Sequence, residues 1–351
     1  MRSKYSQEHS NEYCGFVNVN KPPGLTSFDV IRKLRKILGV RKLGHSGVLD
    51  KPATGVLPIG VGRATKLFKY FTNLQKIYLT TFIFGFSTDT DDILGRVLQV
   101  GDAKDLEAEK VKAVLQRFVG DIVQIPPRYS TTKVAGKPYY KLAAKGEEPP
   151  MKFKPVKVDK IEFIEFKEGP TFSMLASQFH NLIQQKEKEN SEIVPKEDRT
   201  LKLLTIRILC RGGFYVRSLA RDLGEILGVK GCVFSLVREQ VGPLRIESAL
   251  TIEAVERKIN EGRSDEVILP PSILAEPQSS LTLDKESISL LRLGRELWLN
   301  EASFIQKFKG IPETLFVLDR FGELVGVVKA RRSIAEKVIL QPKTVFPERN
   351  P

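Results

Sequence analysis

The stretch KIYLTTFIFGF, residues 76–86, decides the fold class because it is apolar on both faces and rich in residues that favour β-structure. A strand of this kind lies in the interior of a sheet that is covered on both sides. We therefore predict a central strand here. Alternation places Tyr78 on the same face as Phe82, Phe84 and Phe86.

Strand and helix patterns continue on both sides of this stretch. Residues 156–166 alternate like a strand, and KLLTIRILC (202–210) places Leu204, Ile206, Ile208 and Cys210 on one face. Helical spacing predicts three helices: one after a Thr26–Asp29 capping box, one over 105–118, and one over 214–227 that ends at Gly228.

Length and charge narrow the class of protein. The 351 residues suffice for a catalytic-sized domain and a smaller second one. The 56 basic and 42 acidic residues give a formal net charge of +14, which favours nucleic acid or an acidic membrane surface as partner. The polar N-terminus and the lack of an apolar run of about 18 residues argue against a membrane protein. We therefore expect a cytoplasmic location.

The residues that hold metals and cofactors are sparse. The cysteines are Cys14, Cys210 and Cys232, without C-x-x-C spacing, and the chain has three histidines. Neither a zinc site nor a disulfide framework is expected from these numbers. Dinucleotide fingerprints, P-loops and metal clusters are also lacking in the sequence, which predicts no cofactor and no metal.

Composition divides the chain into segments. Residues 1–14 are predicted to form a flexible tail. The Pro-rich stretch LPPSILAEP, residues 269–277, is predicted to mark a boundary between domains. The catalytic domain would then span 15–270, before a small β-rich module with a basic surface at 278–351. Two insertions are expected inside the first domain: a basic loop at 125–155 and a polar, aperiodic surface segment at 167–200.

The loop LGHSGVLDKPATGVLPIG, residues 43–60, carries a single acid, Asp50. Seven basic residues and this one acid occur between Arg32 and Lys51. Glycines on both sides would let a bulky ligand approach the backbone. A carboxylate among cations stays ionised at neutral pH and can be a nucleophile at an electrophilic sugar carbon. Asp50 is the first catalytic candidate, and an ordinary turn aspartate is the alternative.

Three further motifs are candidates for function. STDTDD (87–92) resembles the start of a calcium loop, but position 100 is valine and not the required glutamate, which favours a turn with a helix N-cap. RGGFYVRSLARDLG (211–224) opens a helix whose arginines could seat a phosphate or hold a carboxylate. The basic, tyrosine-bearing residues 125–155 suit RNA, and a solvated charged loop is the alternative.

Taken in order, these segments resemble the TruB family of bacterial tRNA pseudouridine synthases, which modify the T-loop uridine. The resemblance covers residues 15–245 in blocks: GFVNVNKPPGLTSFDV, GHSGVLDKPATGVLPIGVGRATK, KIYLTTFIFGFSTDTDDILG, IPPRYSTTKVAGKPYYKLAAKGE, RGGFYVRSLARDLGEILG and CVFSLVREQVG. Many members have Thr in place of Ser46 and Pro-Leu in place of Lys51-Pro52. Neither difference touches a group that does chemistry.

The resemblance implies an α+β fold: a mixed, mainly antiparallel β-sheet flanked by helices, with a small PUA-like RNA-binding domain at 278–351. Residues 125–155 would be the insertion that grips RNA. The activity implied is isomerisation of uridine 55 in the tRNA T-loop to pseudouridine, with base flipping and no cofactor. The implied partner is the tRNA T-stem-loop, with no membrane and no metal, and the protein would be a monomer.

The resemblance also assigns roles to residues. Asp50 would be the nucleophile, Arg217 would pair with it, and Tyr78 would stack on the target uracil and handle a proton. The substrate-binding residues implied are His45 for RNA contact and base flipping, Tyr215 and Leu236 for the uracil pocket, and Lys21 and Lys133.

Two other classes of protein share part of this pattern. A non-catalytic RNA-binding protein on the same scaffold would have the same charge and basic loop, but it would not need Asp50, Tyr78 and Arg217 together. A metal-dependent phosphodiesterase could use Asp50, His45 and the STDTDD acids, and a chelator would abolish its activity.

Overall fold

The structure, a computed structural model, describes residues 13–179, 198–275, 279–308, 310–332 and 337–347. Most of the predicted tail and residues 180–197 of the predicted polar segment lie outside these ranges. The chain divides into two compact units, each formed by separate stretches. The first unit comprises 1–49, 56–71 and 241–351, and the second comprises 50–55 and 72–240.

The described residues form nine α-helices and eighteen β-strands. The helices are α1 (Ser27–Leu38), α2 (Phe68–Phe71), α3 (Ala108–Leu115), α4 (Tyr139–Ala143), α5 (Phe172–Gln178), α6 (Val216–Leu227), α7 (Ile252–Asn260), α8 (Lys285–Arg292) and α9 (Glu301–Phe308). The strands are β1 (Gly15–Lys21), β2 (Leu43–His45), β3 (Thr54–Val61), β4 (Lys76–Phe84), β5 (Phe86–Thr88), β6 (Val97–Val100), β7 (Gly120–Gln124), β8 (Lys133–Val134), β9 (Lys137–Pro138), β10 (Lys154–Thr171), β11 (Thr200–Cys210), β12 (Gly231–Val241), β13 (Leu244–Arg245), β14 (Ser280–Thr282), β15 (Leu297–Asn300), β16 (Thr314–Leu318), β17 (Leu324–Arg332) and β18 (Lys337–Val345).

The predicted central strand is β4, which lies inside the sheet of the second unit. Strand order in this unit is β12, β4, β11, β10, β7. Antiparallel ladders join β4 to β11, β11 to β10, and β10 to β7. One parallel contact, between the start of β3 and β12, makes the sheet mixed. The α+β fold with a mainly antiparallel sheet is therefore confirmed.

Gly85 ends β4 two residues before the predicted end of the strand. Its φ is +124°, and a Cβ there would lie 2.5 Å from a methyl carbon of Leu201. The chain turns at this glycine, so Phe86 packs with Phe172 in a separate cluster, away from the cluster that holds Tyr78. The prediction that Phe86 shares the face of Tyr78 is therefore wrong.

Two helices cover the main core of the second unit. Val111 and Leu115 of α3 and Leu219 and Leu223 of α6 pack on buried side chains of β4 and β11. The inward face predicted for β11 is confirmed, because all four of its residues are buried: Leu204, Ile206, Ile208 and Cys210. This core thereby supports α6, the helix that carries Arg217.

The segment predicted as an aperiodic insertion from residue 167 has regular structure at its beginning. Strand β10 continues to Thr171, and α5 follows with Phe172 and Leu175 buried. Charged residues on the exposed face of β10 conceal the strand pattern, and one of them, Glu168, forms an ion pair with Lys202 of β11. The basic segment 125–155 holds the short hairpin β8–β9 and helix α4.

The first unit contains α1 and the β-rich module. Thr26 caps α1 as predicted: its hydroxyl accepts from the Asp29 amide, and the Asp29 carboxylate accepts from the Thr26 amide. The module is a five-stranded sheet in the order β14, β16, β17, β18, β15, with a core of its own. Phe316 of this sheet contacts Tyr70 of α2, with ring centroids 5.3 Å apart.

A glycine allows β3 to pair with β12. Gly55 has φ +100°, and a Cβ at this position would lie 2.3 Å from the carbonyl oxygen of Arg238. Space at this glycine is therefore filled by a strand of the protein itself and is not left for a ligand.

Within the described residues, no helix combines the length and apolar character needed to span a membrane.

The close approach at Gly55 predicts a large loss of stability in the Gly55→Ala variant. Gly120→Ala is the control, because Gly120 has φ +98° and a Cβ there would meet no non-neighbouring atom within 4 Å. Left-handed backbone should destabilise each variant by about 1–2 kcal/mol. The clash should add a further ~1–3 kcal/mol in Gly55→Ala. Urea unfolding followed by circular dichroism would measure both, and equal losses would contradict the assignment.

Candidate active site

The carboxylate of Asp50 forms a two-bond ion pair with the guanidinium of Arg217. The Arg217 Nη2 donates to Oδ1 at 3.0 Å, and Nε lies 2.8 Å from Oδ2. Arg217 is 8% exposed, whereas Asp50 is 34% exposed, so the carboxylate keeps a side open to a ligand. The pairing predicted for these two residues is present in the structure.

Backbone carbonyls hold the other donors of the guanidinium. Nη1 of Arg217 donates to the carbonyl of Thr90 at 2.9 Å, and Nη2 donates to that of Tyr129 at 3.0 Å. A planar guanidinium with this many fixed partners has one orientation available. The Asp50 carboxylate is thereby aimed by groups from three separate segments.

The peptide that follows Asp50 is fixed by a turn and by strand pairing. The Ala53 amide donates to the Asp50 carbonyl at 3.1 Å. Thr54 and Gly55 then pair with Val237 and Arg238 in β12. Asp50 therefore lies in the turn that leads into β3, a strand whose register is set by the close contact at Gly55.

A cleft opens beside the ion pair and has a largely apolar wall. Its lining comes from Asp50 and the turn after it, from Asp92 and Arg217, and from the first half of β12. The lining residues are Asp50, Pro52, Ala53, Asp92, Arg217, Val233, Phe234, Ser235 and Leu236. Leu236 thus lines this cleft, where an ionic group faces an apolar surface.

A buried arginine lies next to Tyr78. Arg238 is 1% exposed, and its side chain is hydrogen-bonded to that of Tyr78. Burial raises the pKa of Tyr78 to about 12, although Arg238 opposes this shift. The phenol therefore keeps its proton at neutral pH and can donate or accept a hydrogen bond. Sequence reasoning missed Arg238, although strand alternation from Leu236 places it on the same face.

The STDTDD turn contributes a second carboxylate to the cleft. Asp92 Oδ1 accepts from the Thr90 hydroxyl and the Leu94 amide, both at 2.9 Å. Burial raises the pKa of Asp92 above its usual range, with Arg217 opposing. The pseudouridine synthase prediction treated this acid only as part of a turn, and only the phosphodiesterase alternative grouped it with Asp50.

The other acids of the turn also have protein partners. The predicted turn is present, but the predicted helix N-cap is wrong, because strand β6 follows the turn. Asp89 pairs with Arg96, and Asp91 pairs with Arg221 of α6 at 3.3 Å. The turn is tied to β12, since the Val233 amide donates to the Asp91 carbonyl at 3.0 Å. Across the described part of the chain, no three metal-binding side chains come together.

Leu236 is the one predicted substrate-binding residue among those that line the cleft, and Tyr215 and Lys133 of the same unit are not in that lining. The Tyr215 hydroxyl is 2.8 Å from that of Thr132, and the ring has the Lys154 ammonium 5.0 Å from its centre. Lys133 is exposed in the hairpin β8–β9. Lys133 belongs to the basic segment 125–155, and Tyr215 contacts it.

His45 and Lys21 belong to the first unit. His45 ends β2, opposite Ile59 of β3. Lys21 is fully buried at the end of β1, and its ammonium donates to the carbonyls of Pro22 and Leu25 at 2.9 and 2.7 Å. The structure thus places Lys21 at the Pro-Gly turn, where its ammonium binds backbone carbonyls.

Known proteins are similar to this chain in sequence and in fold. Residues 35–180 match the family model described as TruB family pseudouridylate synthase (N terminal domain), and 217–275 match that of the tRNA pseudouridylate synthase B C-terminal domain. A relative named tRNA pseudouridine synthase B in Dehalococcoides mccartyi is 33% identical over 90% of this chain and 92% of its own. One of the same name in Caldanaerobacter subterraneus is 36% identical over 95% and 99%.

A solved H/ACA RNP bound to a substrate RNA containing 2'-deoxyuridine shares the fold. Its TM-score is 0.65 at 20% identity, covering 98% of this chain and 88% of that one. The fold and the sequence matches together define a pseudouridine synthase, which is an isomerase. Within that class, the chain belongs to the TruB family of pseudouridylate synthases.

The buried Asp91 predicts a pH-dependent term in stability. Burial raises its pKa from 3.8 to about 6, against the opposing charges of Arg221 and Arg217. The folded chain therefore holds this proton more tightly than the unfolded chain, so stability should fall as the pH rises from about 4 to about 6. In Asp91→Asn that loss, of about 1–3 kcal/mol, should disappear.

Urea unfolding of both proteins between pH 4 and pH 7 measures this difference. Asparagine suits the comparison because residue 91 has φ 60°, a conformation that asparagine tolerates. Parallel curves of stability against pH for the two proteins would contradict the assignment to Asp91.

Proposed function

We propose that this enzyme isomerises uridine 55 in the T-loop of tRNA to pseudouridine, with Asp50 as the nucleophile and without a cofactor. The observation that carries the proposal is the Asp50–Arg217 ion pair at the edge of an apolar cleft. A carboxylate fixed in this way can meet an electrophilic sugar carbon or the base without first having to be oriented.

The reaction fits a site made only of side chains. The bond between N1 of uracil and C1' of the ribose breaks, and a bond between C5 and C1' forms. C5 loses a proton and N1 gains one, so atoms and electrons balance within the substrate. Three first steps are compatible with the geometry: attack of Asp50 on C1', attack on the base, or support of a glycal route.

The cleft suits a flipped base. A base must leave the folded loop before its glycosidic bond can be reached, and apolar or aromatic walls receive it. Leu236 and Phe234 supply the apolar wall beside Asp50. Tyr78, paired with Arg238 and protonated at neutral pH, would stack on the uracil and could exchange a hydrogen bond with it as protons move.

Two surfaces support tRNA as the substrate, in line with the names of the relatives. In the second unit, the segment 125–155 presents exposed cations and rings: Lys133, Lys137, Tyr140, Lys141, Lys145 and Lys152. In the first unit, α1 and the turn after it expose six cations: Arg32, Lys33, Arg35, Lys36, Arg41 and Lys42. Such surfaces bind RNA mainly through its phosphates.

The β-rich module offers a further basic face. Lys329 and Arg331 of β17 are exposed, as is Trp298 of β15, and Trp298 and Arg331 flank the same residue, Ile339 of β18. Cations beside an exposed ring suit RNA. We propose that residues 278–351 add tRNA affinity through this face, while His45 contacts RNA near the target.

The nucleophile assignment predicts that Asp50→Asn makes no pseudouridine yet binds tRNA within about twofold of the wild type, because asparagine keeps the size and polarity of the side chain but cannot attack as an anion. The assay incubates an unmodified tRNA transcript with protein in EDTA and maps pseudouridine along the transcript. Asp105→Asn, at an exposed aspartate of the same unit, is the control and should keep full activity.

The outcomes separate the classes of function. No product at the T-loop uridine with wild-type protein would overturn the proposal, and tRNA binding without any product would favour a non-catalytic RNA-binding protein. Cleavage of the transcript that EDTA abolishes would favour the metal-dependent phosphodiesterase. Turnover by Asp50→Asn would refute the nucleophile assignment alone.

The cations of α1 predict a change in the salt dependence of binding. Lys33 and Lys36 form no ion pair within the described residues. Their replacement by glutamate should lower tRNA affinity at least tenfold at low salt, by analogy with loss of about two phosphate contacts, and reduce the salt slope by about 2. Lys104→Glu/Lys110→Glu, at exposed positions of the second unit, is the matched control.

Filter binding of labelled tRNA at several salt concentrations would measure the slopes. If both double variants weaken binding equally, the effect comes from net charge and not from a surface on α1.

A further inference from the structure

Tyr215 contacts the basic segment 125–155 at two places. In the first part of the segment, the Thr132 hydroxyl lies 2.8 Å from the Tyr215 hydroxyl. At the far end, the Lys154 ammonium lies over the Tyr215 ring, 5.0 Å from the centre. The side chain of Gln124, just before the segment, bonds to both the amide and the carbonyl of Tyr215 at 2.9 and 3.1 Å. The residue that opens α6 is thus held by both arms of the segment.

The same arm reaches Arg217 directly. Nη2 of Arg217 donates to the Tyr129 carbonyl at 3.0 Å, beside its bond to Asp50. The next turn of α6 is bound as well, because Ser218 and Arg221 both donate to the Ile125 carbonyl at 2.8 Å. Residues 124–132 therefore form a root that lies along the beginning of α6.

The exposed part of the segment folds back onto this root. The Tyr139 amide donates to the Thr132 carbonyl at 2.8 Å, and the Tyr140 amide donates to the Ser130 carbonyl at 3.1 Å. Tyr139 is 2% exposed, and its hydroxyl donates to the carbonyl of Pro150. The exposed hairpin and α4 are thus joined to Thr132 by a short series of hydrogen bonds.

We infer that Thr132 and Tyr215 are positioning residues, whose hydroxyl pair links the RNA-contacting segment 125–155 to the Asp50–Arg217 ion pair. Their hydrogen bond holds the root on α6, and the root presents the Tyr129 carbonyl that fixes Arg217. The inference rests on the proposed function, and it replaces the expected place of Tyr215 in the uracil pocket with a place in this joint.

The chain offers variants that remove one hydroxyl at a time. Thr132→Val and Tyr215→Phe each break the hydroxyl pair while keeping the shape of the side chain, and Thr132→Ser restores it. Thr205→Val is the matched control, because Thr205 and Thr81 form a similar hydroxyl pair, 3.1 Å apart, between β4 and β11. The double variant Thr132→Val/Tyr215→Phe completes a double-mutant cycle.

Single-turnover formation of pseudouridine at saturating tRNA is the first measurement. We expect each single variant to be about five- to tenfold slower, the effect of one hydrogen bond, with tRNA affinity within about twofold of wild type. The double variant should be no slower than the slower single variant, and Thr132→Ser and Thr205→Val should keep the wild-type rate. Multiplicative losses, a wild-type rate in Thr132→Val, or a loss of affinity in place of rate would overturn the inference.

Hydrogen exchange gives a readout that does not depend on activity. If the hydroxyl pair holds the root, the amides of Tyr139 and Tyr140 should exchange faster in Thr132→Val than in wild type, and unchanged exchange would overturn the inference. Faster exchange in Thr132→Val, found together with no pseudouridine formation by the wild type, would refute the proposed function and leave the structural joint established.

Discussion

The guanidinium of Arg217 is the constraint on which the site depends. It bonds to Asp50, to the Thr90 carbonyl and to the Tyr129 carbonyl, which lie 167, 127 and 88 residues from it along the chain. A planar fork with fixed donor directions can join three segments at set angles, whereas an ammonium would act as a point charge without preferred directions. The loop before β3, the STDTDD turn and the root of 125–155 therefore share one reference point.

Charged groups in an otherwise apolar interior surround this point. Arg217 and Arg238 are both buried, and Asp91 and Asp92 have raised pKa values because burial disfavours their charged forms. Buried charges stabilise little by themselves, but removing one partner leaves the other uncompensated. We therefore expect the network to specify a single arrangement of the cleft more than it stabilises the fold. The open side of Asp50 is the part of this network that stays accessible to solvent.

Local patterns in the sequence were enough for the interior strand, which follows from KIYLTTFIFGF, and for the cap of α1. The pairing of Asp50 with Arg217 was expected from the resemblance to a known family and not from the local motifs alone. Arg238 was missed, and Asp92 was not placed in the pseudouridine synthase site, because their positions depend on register: Gly55 sets β3 against Arg238, and Val233 ties the turn to β12. Long-range pairing of this kind has no local signature. The strand over 167–171 was missed because its exposed face is charged, which removes the usual alternation.

The division of the chain also bears on when the enzyme becomes competent during its synthesis. Asp50 begins a six-residue stretch of the second unit that interrupts the first unit, and its arginine partner follows 167 residues later. At ribosomal rates of about 5–20 residues per second, the carboxylate waits roughly 8–35 s for that partner to be made. A nascent chain that ends before α6 therefore holds Asp50 without its counterion, although it already includes the cations of α1 and of the segment 125–155.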